Sequence, residues 1–149
     1  MADLEGLVAT VSVELPDLRA EILAALQLLA DATRQREHWL DPAAEHRYWD
    51  IDWIVRALFD TAALPDPAHQ VGSALYLVEV EPIRALGSVF EPIVDGLSDA
   101  PGSVYLTHLD WPEVVRLAGL AAATMLDSDA RSERRIESVG PTPYADPHG

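Results

Sequence analysis

The sequence predicts an all-α protein, a compact bundle of about five helices over residues 1–127 with a disordered C-terminal tail over residues 128–149. Apolar residues recur at intervals of three and four along several segments, which is the spacing of a helix with one buried face. Prolines stand near the starts of these segments, where the missing backbone N–H leaves no hydrogen bond unmade. A chain of 149 residues with 49 % hydrophobic content can fill one core of ordinary domain size, so we expect a single domain.

The first helix is predicted from Pro16 to about Trp39. Residues 1–14 fit both strand alternation and helical spacing, and we favour a short helical lead-in there. The helix should stop before Asp41-Pro42, since a residue that precedes proline is kept out of the α region. Its inward stripe is formed by Leu18, Ile22, Ala25, Leu26 and Leu29.

A second helix is predicted over residues 50–63, with Asp50 as its N-cap. Asp66, followed by a proline, should cap a short third helix that ends near Leu75 and turns Val71 and Leu75 inward. Together these two helices account for most of the chain between residues 50 and 75.

Residues 76–78 have β-type side chains but no obvious partner strand, so we interpret them as a turn between helices. A fourth helix is expected over residues 79–97. Pro92 lies inside it and should kink or break it between residues 87 and 91.

The last helix should begin at a capping box made by Asp110 and Glu113 and end near Asp127. Its many alanines would allow a neighbouring helix to approach closely. Because that neighbour could be a second copy of the chain, homo-oligomerisation stays open. After Asp127 the sequence loses its apolar period, which predicts the tail.

The formal net charge is −15, and all ten basic residues are arginines. Nucleic-acid binding is disfavoured, since cations must replace the counterions of the phosphates, and so is docking on anionic lipid. Solubility alone explains such a charge most simply. The sharper hypothesis is an acidic face that steers a basic protein partner.

Several other classes of site are excluded by the residues present. Without cysteine there is no disulfide, thiolate metal site or cysteine nucleophile. No glycine-rich phosphate loop and no nucleophile elbow occurs, so no cofactor is expected. The start of the chain lacks a basic region before its first apolar stretch, and the longest charge-free runs are about half of the ~20 residues that cross a bilayer. We therefore expect a cytoplasmic protein.

Residues 37–53 are the most informative segment, because they hold three tryptophans, two histidines and five carboxylates. A metal site is disfavoured because no histidine pair has the i, i+4 spacing of a helical zinc motif. General acid–base catalysis is disfavoured because Asp50 and Asp52 would point about 200° apart on a helix. Such a metal site would have to use His38, Glu45, His46, Asp50 and Asp52.

The favoured structural interpretation of this segment is that Trp49 and Trp53 pack together while Asp50 caps the helix. The functional hypothesis is protein recognition, with Trp39 and Tyr48 as aromatic anchors. The predicted partner-binding residues are Trp39, Asp41, Glu45, His46, Tyr48 and Asp52. The alternative is a small enzyme or ligand-binding bundle whose carboxylate–histidine pocket uses His46, Asp50 and Asp52.

Three blocks of the sequence are similar to a known family. They are Pro16-Asp17-Leu18-Arg19, Trp49-Asp50-Ile51-Asp52-Trp53 and Trp111-Pro112-Glu113-Val114-Val115. In this order they resemble a family of small acidic helical proteins from actinobacteria whose function is not established. The resemblance implies a compact helical fold and brings no catalytic residues. Members are similar in size and charge to immunity proteins that neutralise basic toxins, which is an analogy of type and not of site.

Overall fold

The structure, a computed structural model, describes residues 13–40, 51–61, 63–97 and 100–139, with side chains up to residue 133. Its α-helices are α1 Pro16–Leu29, α2 Ala32–Trp39, α3 Ile51–Phe59, α4 Val80–Leu97, α5 Gly102–Leu106 and α6 Trp111–Val139. Two 3₁₀ helices lie between α3 and α4, at Pro67–Gln70 and Leu77–Glu79. Within the described ranges there is no strand, and the predicted all-α bundle is confirmed.

The core is built from the predicted apolar stripes. Helix α6 packs along both α1 and α4, and α1 also packs on α3. The largest fully buried side chains are Tyr105, Phe90, Ile22, Leu26, Leu29, Ile54, Leu58, Leu64, Leu75, Ile83, Leu86 and Met125. Removal of these groups from water is the main stabilising contribution to the bundle.

The first predicted helix is in fact two helices, so the prediction of one helix over residues 16–39 is wrong. The chain leaves α1 at Ala30, and Asp31 then caps α2 by accepting a hydrogen bond from the backbone N–H of Arg34 (3.0 Å). An aspartate at an N-cap competes with helix continuation, and the residues after Leu29 are too polar to show a separate apolar period for the second helix.

Between α3 and α4 the helices are shorter than predicted. Asp66 does cap the next turn, by accepting from the backbone N–H of Ala68 (3.2 Å), but that turn is a 3₁₀ helix that ends at Gln70. Gly72 has a φ of 93°, which a continuing helix cannot accommodate. As a result Val71 is 40 % exposed, contrary to prediction, whereas Leu75 is buried as predicted.

Helix α4 runs unbroken through Pro92, so the predicted break is wrong. Pro92 lies on the exposed side of the helix, where its ring does not compete with core packing. Whether the axis of α4 is kinked between residues 87 and 91, the other form of this prediction, stays a prediction. The interpretation of residues 76–78 as a turn is close to the structure, in which the 3₁₀ helix Leu77–Glu79 leads directly into α4.

Helix α6 continues to Val139, well beyond its predicted end near Asp127, so the predicted tail begins as helix. Asp127 and Arg131 form an i, i+4 ion pair across the predicted boundary (2.9 Å). Residues 140–149 lie outside the described residues. At the N-terminal end of α6, the predicted capping box is replaced by a different contact of Glu113. Its carboxylate accepts a hydrogen bond from Arg116 Nε (3.0 Å), and this bond lowers the pKa of Glu113.

Helix α5, which the sequence did not predict, packs its first residue on the face of the Trp39 indole. A Cβ on Gly102 would lie 2.7 Å from Trp39 Cδ2, closer than any real Cβ contact. Gly96, near the end of α4, has nothing within 4 Å of the same position. Alanine substitutions at Gly102 and Gly96 can therefore be compared as a test and its matched control.

We expect Gly102→Ala to lower the free energy of unfolding by about 1–3 kcal/mol, because the rigid indole must move. Gly96→Ala should leave it unchanged or raise it by up to about 1 kcal/mol, since alanine favours a helix. Urea unfolding of both variants checks this. Equal effects of the two substitutions would contradict the packing of α5 on Trp39.

Candidate functional site

Of the predicted partner-binding residues, the structure describes Trp39 and Asp52. Asp41, Glu45, His46 and Tyr48 lie outside the described residues. So do Trp49 and Asp50, which means that the predicted Trp49–Trp53 contact, the Asp50 cap and the carboxylate–histidine pocket stay predictions.

Trp39 is not an exposed anchor. It is 6 % exposed, and its ring centroid lies 6.0 Å from that of Trp111. Since it ends helix α2 on the inward side, its large apolar ring is drawn into the core rather than presented from a loop. The prediction that it contacts a partner as a surface ring is therefore incompatible with its burial.

Asp52 is exposed in the first turn of α3, where the helix dipole favours a carboxylate. Its neighbour Trp53 is partly buried and packs against the core. Asp52 is thus the predicted site residue that the structure leaves accessible to a partner.

Trp111 is the centre of a buried aromatic cluster. The ring centroids of Phe90 and Tyr105 lie 6.2 and 5.9 Å from it. Its indole Nε1–H donates to Gln35 Oε1 (3.0 Å), and the Gln35 amide donates in turn to the carbonyls of Leu28 and Leu29 (2.7 and 2.8 Å). Gln35 thereby satisfies carbonyls at the end of α1, a structural role.

The most polar part of the interior is a buried arginine centre, which we define as Arg19, Glu79 and Asp129. Arg19 is 6 % exposed and Glu79 fully buried. The two form a bidentate pair, with Nη1–Oε1 at 2.7 Å and Nη2–Oε2 at 2.8 Å. Arg19 Nε donates to Asp129 Oδ1 at 3.0 Å. The centre therefore joins α1, the 3₁₀ helix before α4 and the C-terminal half of α6.

Backbone carbonyls complete the coordination of the guanidinium. Arg19 Nη1 donates to Ala74 O (3.2 Å), and Nη2 donates to Met125 O (3.0 Å). All five N–H groups of the side chain then have acceptors. No donor is left over, so the centre cannot bind an anionic substrate without breaking one of these bonds.

The charge state of the centre follows from its contacts. Burial by itself lowers the pKa of Arg19, but the hydrogen bond and charge of Glu79, with Asp129 adding to them, outweigh burial and hold that pKa above its ordinary value. The guanidinium therefore remains charged throughout the accessible pH range.

The arginine centre also fixes residues 76–79, which we name the Leu77–Val78 turn. The Tyr76 ring lies 4.8 Å under the Arg19 guanidinium, and its backbone N–H donates to Glu79 Oε1 (2.9 Å). The Ser132 hydroxyl donates to the Tyr76 hydroxyl (3.3 Å). Both ends of the turn are held, while Leu77 and Val78 between them are 75 % and 63 % exposed.

Sequence reasoning missed this centre. The available signal was an arginine inside an apolar stripe, since Arg19 lies three residues before Ile22 and shares its inward face. The partners could not be read from the pattern, because Glu79 and Asp129 are 60 and 110 residues away.

Two open grooves lie elsewhere on the described surface. One, of about 520 Å³, runs between the α1–α2 junction and α6 and is lined mostly by small residues such as Ala30, Gly119 and Ala123. The other, of about 480 Å³, lies beside α2 and α5 and includes Arg36, Leu106 and Trp111.

Among the described residues, no three histidine, aspartate or glutamate side chains are placed to hold a metal ion. None of the helices in these ranges combines the length and the apolar character needed to span a membrane.

The family described as a domain of unknown function (DUF7945) matches residues 13–133. The chain belongs to the DUF7945 family. The match begins just before α1 and ends within α6, so the DUF7945 domain includes the whole arginine centre. No curated protein and no solved structure matches this DUF7945 chain.

We expect Arg19→Met to lower the free energy of unfolding of the DUF7945 domain by about 3–5 kcal/mol, because Glu79 would stay buried without its cation. Combining it with Glu79→Met should recover part of that loss, since neither charge is then buried. Arg84→Met, which removes an exposed cation beside Glu81 and Asp66, should cost about 0–1 kcal/mol.

Urea unfolding of the single and double variants gives these free energies. An Arg19→Met variant no less stable than Arg84→Met would show that the buried pair does not hold the fold together.

Proposed function

We propose that this protein is a non-catalytic, cytoplasmic protein-binding module whose acidic surface receives a basic protein partner, in the manner of an immunity or regulatory protein. One observation carries the proposal. Four of the described arginines are paired with carboxylates of the same chain, and exposed carboxylates outnumber exposed arginines among the described residues.

Within the part of the chain that the structure describes, ion pairs are seen for four arginines, namely Arg19, Arg84, Arg116 and Arg131. Two of them are each shared by two carboxylates, Arg19 by Glu79 and Asp129, and Arg84 by Glu81 and Asp66. Pairing does not change the net charge, and the field stays negative because acidic residues outnumber basic ones by 25 to 10.

The exposed carboxylates are distributed over the helices of the bundle. They include Glu14, Asp17, Glu21, Asp31, Glu37, Asp52, Asp60, Glu81, Asp95, Asp110, Asp127 and Glu133. A field of one sign accelerates encounter with an oppositely charged protein and repels partners of like charge. It also keeps a protein soluble, and the two effects are separated by whether a specific partner binds in a salt-dependent way.

The segment around the start of α3 remains part of this proposal. Asp52 is accessible on the described surface, and we propose that Asp41, Glu45, His46 and Tyr48 contribute beside it. Trp39 is removed from the proposed contact set because of its burial.

The test begins with affinity capture by the full chain from its native host, followed by binding kinetics with the purified partner. We expect a basic protein whose association rate constant falls at least about tenfold between low and high salt. Asp17→Asn/Glu21→Gln/Asp52→Asn should slow association further, whereas the neutral control Gln27→Ser/Thr33→Ser should not.

Capture of copies of the chain alone would replace this proposal with homo-oligomerisation. A partner whose association rate does not depend on salt or on the three carboxylates would also contradict it.

A further inference from the structure

We propose that Leu77 and Val78 are the anchor of the interface, and that the occupant is a protein surface with a shallow apolar pocket rimmed by arginine or lysine. This inference rests on the proposed function and names the place where the basic partner docks. Three features of the described residues support it: exposure, rigidity and charge.

The exposure of the pair is the first feature. Leu77 is 75 % and Val78 63 % exposed, and they are adjacent in the chain. A single exposed leucine is ordinary on a protein surface, and Leu109, which is 89 % exposed, is such a case. Two neighbouring large apolar side chains exposed at one turn form an apolar patch of the kind that marks an interaction site.

The rigidity of the turn is the second feature. Tyr76 at one end lies against the Arg19 guanidinium, and Glu79 at the other is bound to it through both carboxylate oxygens. A turn held in this way is already ordered before a partner arrives. Binding then loses little backbone entropy, which is what a preorganised anchor provides.

The charge around the turn is the third feature. Arg19 is shared by Glu79 and Asp129, and Arg84 by Glu81 and Asp66, so each group keeps one excess negative charge. The Glu81 side chain is 78 % exposed and lies three residues after Val78. An apolar anchor with a negative rim matches an apolar pocket with a positive rim.

The same features select a protein over other occupants. A negative rim repels the phosphates of anionic lipid and of nucleic acid. The pair also projects from the surface, so the partner must supply the concavity. Standard interfaces bury about 800 Å² on each side, far more than two side chains, so the turn would be a central anchor within a larger polar contact.

A photo-crosslinking residue, p-benzoylphenylalanine, placed at position 77 of the full chain in its native host tests the proposal. The matched control carries it at position 109. We expect position 77, and not position 109, to link to one protein, at a site with apolar residues next to arginine or lysine.

Binding to that purified protein is then measured with Leu77→Ser/Val78→Ser and with Leu109→Ser. We expect the first variant to weaken binding at least tenfold and the second to leave it unchanged. Both should keep the thermal unfolding of the wild type, because the substituted side chains are exposed.

The outcomes separate the inference from the proposed function. A basic partner that links from position 109 alone, or that binds the Leu77→Ser/Val78→Ser variant as tightly as the wild type, overturns the docking site and leaves the proposed function standing. Links from position 77 to lipid, to nucleic acid or to a second copy of the chain overturn it in favour of that occupant. If no protein is linked at position 77 and none is captured by the full chain, both proposals fail.

Discussion

The structure depends on one buried guanidinium. Arg19 connects α1, the approach to α4 and the C-terminal half of α6 by hydrogen bonds that run through the interior. A buried ion pair does not stabilise a core more than apolar residues of similar volume, because removing its charges from water costs free energy. Its advantage is direction, since a guanidinium with five fixed donors specifies where each neighbour must lie.

The fixed directions of the Arg19 hydrogen bonds also determine the arrangement of residues at the surface. Glu79 and Tyr76 are fixed by Arg19, and the two residues between them therefore face water in a defined arrangement. Because Glu79 and Asp129 share the one Arg19 cation, the centre also keeps one excess negative charge. The rigid apolar pair and the negative charge around it thus both originate in the Arg19 centre. Both are properties expected of an interface for a partner of opposite charge.

The buried faces of the helices could be predicted from the sequence, because they depend on local spacing. Features that depend on contacts between distant residues could not. Ile22, Leu58 and Phe90 lie at helical intervals and are buried as expected. The division at Asp31 was missed because the apolar stripe ends at Leu29 and the mostly polar residues that follow have no apolar period to mark a second helix. The length of α6 was missed because residues after Asp127 are polar, and their order comes from Arg19 and Tyr76, which are far away in the chain. Of the predicted site, Asp52 proved exposed and Trp39 buried, since helical period does not tell which aromatic ring fills the core.

Native-state hydrogen exchange of the wild type and of Arg19→Met tests the central claim most directly. If Arg19 holds the turn and the end of α6, the substitution should accelerate exchange at the backbone amides of Glu79 and of residues 129–133 much more than at Ile54 or Leu58 in α3. A uniform acceleration throughout the bundle, or unchanged protection at these amides, would contradict it.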